Sequence, residues 1–167
     1  MPLIKDGRLA EDAWIAVGDD EPLPADRPAL ISLGRWQAER EALLGRNAPL
    51  GLRLRSDQSP RLVAADVSRF RLLALEFPKL NDGRAFSYAR LLRERYGFSG
   101  EIRAVGHLIR DQFAFLTRCG FDAVEVKDAT LAEQWHDALA EFSVVYQPAT
   151  DSRRPAFTLR RTKTAAE

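Results

Sequence analysis

The fold is decided by the stretch from Leu72 to Gly106, which reads LLALEF, PKLNDGR, AFSYARLLRERY, GFSGE and IRAVG in succession. Its first segment is a continuous apolar run, which is typical of a parallel β-strand covered on both faces. The third segment places apolar side chains on one helical stripe, and Gly97 follows where a helix-ending glycine is expected. A strand, a helix and a second strand joined this closely predict a right-handed βαβ unit.

Similar patterns flank this unit on both sides. Apolar runs alternate with helical patterns, which predicts an α/β fold of consecutive βα units with a mainly parallel sheet. Near the N-terminus, Asp6-Gly7 predicts a tight turn between strands at Leu3-Ile4 and Ala13–Val17, and thus a small β-hairpin. The predicted strands of the sheet are residues 29–33, 50–55, 72–77, 102–105 and 123–126.

Composition divides the chain into three parts. Residues 1–28 hold the predicted hairpin and a linker rich in proline and acidic residues. Residues 29–147 form the β/α domain, and residues 148–167 form a polar, basic tail for which we expect disorder at its end. With 167 residues, of which 46% are hydrophobic, the chain is long enough for one domain with a substantial core.

Charged residues recur at alternate positions of the predicted strands, for example at Arg53, Glu76, Arg103 and Glu125. Side chains alternate faces along a strand. If the strands lie side by side in chain order, right-handed crossovers put every helix on one face of the sheet, and the charged side chains lie on the other face. The sheet is then a half-barrel whose charged face the N-terminal hairpin or a second subunit covers. Alternatively, the charges occupy solvated edges of an open sheet in a three-layer sandwich.

The overall composition argues against several classes of protein. Twenty-five basic and 24 acidic residues leave a formal charge of +1, whereas a nucleic-acid binder usually carries a clear basic excess. The apolar runs are too short to span a membrane, and the N-terminus lacks a signal-peptide pattern, so we expect a cytoplasmic protein. One cysteine, Cys119, excludes an internal disulfide and a four-thiolate metal site. No intrinsic cofactor motif or metal-ligand spacing occurs, which leaves any cofactor unknown.

The loop after the central strand carries the richest set of polar residues. Sites in parallel β/α folds lie beyond the C-terminal ends of the strands. Here Gly83 would let the backbone approach a ligand, and the helix that follows offers free N–H groups to an anion. A capped helix with solvated basic residues is the alternative. The anion-binding candidates are Lys79, Asp82, Gly83, Arg84, Ser87 and Arg110.

A histidine follows the next strand along the chain. His107 is better placed for proton transfer than His136, which we expect to be structural or exposed in mid-helix. Asp111 lies one helical turn further on and would orient the imidazole, so His107 and Asp111 are the catalytic candidates. The alternative is that His107 is an ordinary surface residue. Cys119 has no CxxC partner and is expected to be a buried structural thiol.

Nearly the whole chain, to about Tyr146, also resembles a known family, and the N-terminal hairpin and Leu33-Gly34-Arg35-Trp36 fit it too. The segments that carry the resemblance are Phe77-Pro78, Asp82-Gly83-Arg84, Ser87, Ala89–Gly97, Gly100–Gly106, Arg110-Asp111-Gln112 and Arg118–Asp122. They are similar to a bacterial family of unknown function that is often described as a probable oxidoreductase involved in sulfite reduction. The resemblance implies a setting in assimilatory sulfur metabolism, beside the sulfite reductase haemoprotein, and it implies no established reaction.

Three functional hypotheses follow from the residues and the resemblance together. The first is an accessory protein or partner of the sulfite reductase haemoprotein that binds a small anion. The second is an enzyme in which Arg84 and Arg110 clamp a sulfur oxyanion or nucleotide while His107 moves a proton. The third is an interaction subunit whose charged sheet face docks another chain.

Overall fold

The computed structural model describes residues 1–141, 143–151 and 153–164. Within these residues the chain forms one sheet of eight strands, and the helices pack on one of its faces. A 3-10 helix spans Pro60–Arg69, another spans Arg110–Gln112, and a π-helical segment at Leu91–Arg95 continues the second α-helix. The strands are β1 (Leu3–Lys5), β2 (Arg8–Ala10), β3 (Ile15–Ala16), β4 (Ala29–Ser32), β5 (Leu50–Leu54), β6 (Leu72–Phe77), β7 (Glu101–Gly106) and β8 (Ala123–Glu125). The α-helices are α1 (Leu33–Leu44), α2 (Arg84–Arg90), α3 (Phe113–Cys119), α4 (Leu131–Ala140) and α5 (Ala156–Thr164).

The strands lie almost in chain order. The order across the sheet is β2-β1-β8-β7-β6-β5-β4-β3; strands β3 to β8 are parallel, and β1 pairs antiparallel with both β2 and β8. Because right-handed crossovers between neighbouring parallel strands put each helix on the same side, the other side has no helix. The predicted half-barrel of consecutive βα units is confirmed, and the three-layer sandwich is excluded.

The central strand β6 is buried from both sides. Leu73, Leu75 and Phe77 belong to the large core beneath the helices. Leu72 and Ala74 belong to a smaller cluster on the helix-free face, which Trp14 also contacts. This two-sided burial is the reason for the unbroken apolar run in the sequence.

The N-terminal hairpin is shorter than the sequence predicted. The chain turns at Asp6-Gly7, both with positive φ, and Lys5 pairs with Arg8 in β2. The predicted second strand of the hairpin, Ala13–Val17, was wrong in its partner: its residues Ile15–Ala16 form β3, which pairs with β4 at the opposite edge of the sheet. Alternation of apolar residues indicates a strand, but it does not identify the neighbouring strand.

Residues 11–14 join the two edges of the sheet across its helix-free face, and we call this segment the strap. Ala10 and Ile15 lie at opposite edges of the sheet but are only five positions apart in the sequence. An extended chain of that length reaches at most about 18 Å. A flat sheet of eight strands would place its edges about 33 Å apart. The sheet is therefore strongly curved, and the strap, which lies within the segment predicted as the N-terminal hairpin, crosses its concave face.

The strap is anchored to the middle of the sheet by Arg103 of β7. The Arg103 side chain is 1% exposed and donates hydrogen bonds to Asp12 at 2.8 and 3.1 Å, to Glu101 at 2.9 Å and to Glu125 at 3.3 Å. Partial burial opposes ionisation of Asp12, but the hydrogen bonds from Arg103 and from the Trp14 N–H, together with the positive charge of Arg103, outweigh it, so the pKa of Asp12 lies below its usual value. Three carboxylates thus compensate one buried guanidinium.

The second anchor of the strap is the ring of Trp14. The ring packs so closely against β5 that a Cβ atom added to Gly51 would lie only 3.0 Å from Trp14 Cζ3. Only glycine leaves room at this position for the ring to approach the sheet backbone. The strap therefore combines a buried ionic contact with an aromatic contact.

The C-terminal segment is more ordered than the expected polar tail. Helix α5 lies within it, and Ala156 N donates to Val145 O at 2.8 Å. Arg118 Nε donates to Asp151 at 3.1 Å and holds the segment against α3. Residues 165–167, where we expected disorder, lie outside the described residues. No helix in the described part of the chain is long and apolar enough to cross a membrane.

Replacing Arg103 with Met should lower the free energy of unfolding by about 3–5 kcal/mol, because it leaves three carboxylates beside an apolar side chain. The control is Arg53→Met. Arg53 pairs with Ala74 of β6, which pairs with Arg103, so both arginines lie in one row across the helix-free face. Because Arg53 is 49% exposed and 3.4 Å from its partner Glu76, the free energy of unfolding should fall by less than about 1 kcal/mol. Urea unfolding measures the free energy of unfolding of both variants. An equal decrease in the two would contradict the anchoring role of Arg103.

Candidate functional site

Two residues of the predicted corner, Lys79 and His107, come together where β6 and β7 end. Gly106 has a φ of +107°, and an added Cβ would lie 2.4 Å from Phe77 O, so the backbone can turn over the end of β6 only with glycine here. The next residue, His107, donates its backbone N–H to Phe77 O at 2.8 Å. This turn places His107 beside the Pro78-Lys79 loop, as the sequence predicted for the ends of adjacent parallel strands.

An open cleft of about 460 Å³ lies between these loops and the end of β8, and we call it the His107 cleft. It brings together Lys79, His107 and Lys127, all exposed. Among the described residues, neither lysine has a carboxylate partner. The remaining lining is apolar: Pro78, Leu80, Leu108 and Ile109.

Lys127 was not among the candidates from the sequence. It follows β8 and Val126, at the same edge of the sheet as the residues after β6 and β7. The signal that finds it is positional, since every residue just beyond a parallel strand lies at this edge. The nearby negative residue Asp128 bonds to Thr130 N at 2.9 Å within its own turn.

Arg84 lies in a separate network beside the end of β5. Its Nη2 is 2.6 Å from Asp82 Oδ2 and 3.0 Å from Ser56 Oγ, while Tyr88 Oη donates to Ser56 O at 3.2 Å. The hydrogen bonds from Arg84 hold the pKa of Asp82 well below its usual range. The charge of Arg84 is therefore compensated by Asp82, and neither residue lines the His107 cleft.

The loop glycine and the helix serine of the candidate set are not brought to the His107 cleft either. Gly83 has a negative φ, and an added Cβ there would meet only Phe86 Cδ2, at an ordinary 3.6 Å. Its backbone does not need glycine. Ser87 is exposed on α2 and lies outside the cleft lining.

The expected catalytic pair does not form in this structure. Asp111 is strongly exposed and lies 3.8 Å from Arg110, and among the described residues it makes no hydrogen bond with His107. Arg110 is also 3.6 Å from Glu141. Of the residues predicted from the sequence, only Lys79 and His107 line the same cleft. The side chain of His136 lies outside the described residues.

Several residues of the shared sequence pattern hold the fold together. Arg93 donates to the backbone oxygens of Phe98, Gly100 and Gly120 at 2.6, 2.8 and 3.0 Å, and to Asp122 at 2.5 Å. It thus ties the end of the second helix to the starts of β7 and β8. These contacts give structural roles to residues of the segments RERYG (93–97), GE (100–101) and RCGFD (118–122).

The lone cysteine has no catalytic character. Burial raises the pKa of Cys119 to about 11, so the side chain is a neutral thiol at physiological pH. This agrees with the expected structural thiol. Among the described residues, no group of three or more His, Cys, Asp and Glu side chains is arranged to hold a metal ion.

A second, larger cleft opens on the concave side, at the C-terminal ends of β3 to β6. Its volume is about 820 Å³, within the range of small-molecule pockets, and we call it the β3–β6 cleft. Its charged and polar lining includes Asp19, Glu21, Ser32, Arg53, Arg55 and Glu76.

The fold and the clefts define an α/β half-barrel protein with two candidate binding sites at the C-terminal edge of its parallel strands. The sequence matches the family described as bacterial protein of unknown function (DUF934) over residues 51–157, and the chain belongs to that family. No curated protein matches the chain.

Proposed function

We propose that this chain is an accessory protein of assimilatory sulfite reduction that holds a small sulfur oxyanion in the His107 cleft. The observation that carries this proposal is the convergence of Lys79, His107 and Lys127 from three separate loops. Two ammonium groups without carboxylate partners create a positive potential that attracts an anion. The metabolic setting, and with it a cytoplasmic location, is supported by the resemblance to a family linked to sulfite reduction.

The surroundings of the cleft suit contact with a partner protein. Leu80 and Ile109 line it and are both exposed, at 53% and 43%. Exposed apolar side chains that are bordered by polar or charged residues are typical of protein-binding surfaces. We propose the sulfite reductase haemoprotein as the partner, with the oxyanion held close to the contact.

The other two hypotheses have less structural support. An enzyme using His107 with Arg84 and Arg110 would need the three side chains at one cleft, but neither arginine lines the His107 cleft. An interaction subunit using the charged sheet face would have only part of that face available, because the strap covers Arg103, while Arg53 and Glu76 remain open in the β3–β6 cleft.

Titration calorimetry with sulfite, sulfate and adenylyl sulfate should give binding for at least one of the three. Replacing Lys79 and Lys127 together with Ala should weaken that binding at least about tenfold, because both positive charges are removed. The control is Arg61→Ala, an exposed basic residue on the 3-10 helix outside both clefts. Absence of heat with all three anions, or equal affinity in the double variant, would refute the anion site.

The metabolic role is tested by deleting the gene in the bacterium that encodes it. The deletion strain should grow with cysteine but poorly with sulfate as sole sulfur source. The wild-type gene should restore growth on sulfate, and the Lys79→Glu, Lys127→Glu variant should not, although it is expressed equally. Normal growth of the deletion strain on sulfate would remove the assignment to sulfite reduction.

A further inference from the structure

The β3–β6 cleft carries separated charges of opposite sign. Its positive wall is formed by Arg53 of β5 and by Arg55, just beyond the end of this strand; the two point to the same face because they are two positions apart. Arg53 makes one long hydrogen bond, 3.4 Å to Glu76, and Arg55 makes one of 3.3 Å to Asp57. A guanidinium has five N–H donors, so most donors on this wall remain available to a ligand.

The negative wall is formed by the loop after β3. Asp19 accepts a hydrogen bond from Ser32 Oγ at 2.6 Å, and Glu21 accepts one from Gly18 N at 2.9 Å. These short, local bonds fix both carboxylates on the loop. Neither carboxylate forms an ion pair with another described residue, so both charges are uncompensated at the cleft.

The loop itself is held in place before any ligand arrives. Arg35 of α1 is buried, and its Nη1 donates to the backbone oxygens of Gly18 and Glu21 at 2.6 and 2.7 Å. Further along, Arg46 donates to the backbone oxygens of Pro24 and Arg27 at 2.5 and 2.8 Å. The segment that was predicted to be a linker therefore forms a fixed wall of the cleft. Because this loop is already in place, less conformational entropy is lost when a ligand binds.

The spacing of the walls sets the size of the ligand. Strand β4 lies between β5 and β3, so the backbones of these strands are two spacings apart, about 10 Å. Asp19 reaches Ser32, the β4 residue that pairs with Arg53, so the gap between the charged groups is shorter than this backbone distance. Among the described residues, no ion pair joins the walls. An extended peptide spans about 3.4 Å per residue, so two or three residues bridge this distance.

We propose that the β3–β6 cleft binds a short zwitterionic peptide, with its carboxylate at Arg53 and Arg55 and its ammonium group at Asp19 and Glu21. The class is recognised by charge at both ends: Arg53, whose contact with Glu76 is long at 3.4 Å, and Arg55 supply the donors for the carboxylate. This site is independent of the His107 cleft, because the two share no lining residue.

The test is titration calorimetry of the full chain with L-alanyl-L-alanine and two capped analogues. N-acetyl-alanyl-alanine keeps only the negative end, and alanyl-alanine amide keeps only the positive end. The uncapped dipeptide should bind at least about tenfold more tightly than either analogue, because both walls must be engaged. Equal binding of the acetylated analogue, or no heat with any of the three at about 10 mM, would overturn the proposal.

Two variants test the walls separately. Arg53→Gln with Arg55→Gln should weaken the free dipeptide about tenfold and leave the amide analogue unaffected, while Asp19→Asn should weaken the free dipeptide and leave the acetylated one unaffected. Arg61→Gln serves as the control, and circular dichroism and thermal melting check that each variant folds. Wild-type affinity for the dipeptide in both wall variants would overturn the assignment of the two walls.

Discussion

The whole structure depends on one constraint: six parallel strands lie side by side in chain order, so the helices that connect them fall on one face of the sheet. The opposite face must then be covered by something other than a helix. The chain meets this requirement with the strap, which runs from one edge of the curved sheet to the other. Arg103 fixes the strap against β7 through its bonds to Asp12, and Trp14 fixes it against β5 through close contact with Gly51.

Closure of the concave face directs ligands to the C-terminal edge of the parallel strands. Both clefts open there, and each is shaped by a residue that controls the backbone nearby. Gly106 turns the chain so that His107 lies next to Lys79, and Arg35 fixes the loop that carries Asp19 and Glu21. The two clefts differ in electrostatic character, since one is basic with an apolar lining and the other has opposed charges.

The sequence predicted those features that arise from local pattern. The unbroken apolar run of β6, the charges at alternate strand positions and the turn glycines together predicted consecutive βα units, and the half-barrel is confirmed. Pairing of distant segments was not predictable in the same way: Ile15–Ala16 was recognised as strand but assigned to the wrong partner. Arg93 fell on the polar side of its helix by periodicity, yet it binds three backbone oxygens, because tertiary contacts override a helical pattern. Lys127 and the β3–β6 cleft depend on loops that only the folded sheet brings together.

The most direct test of this account is the position of the strap, because the closure of the concave face and the placement of both clefts follow from it. In a nuclear magnetic resonance spectrum of the full chain, the Gly51 Hα protons should show strong nuclear Overhauser contacts to the Trp14 ring, with at least one Hα shifted upfield by the ring current. That result is expected because the ring lies against the Gly51 backbone. Gly51 Hα protons at ordinary shifts, with no contact to Trp14, would show that the strap does not cross the sheet.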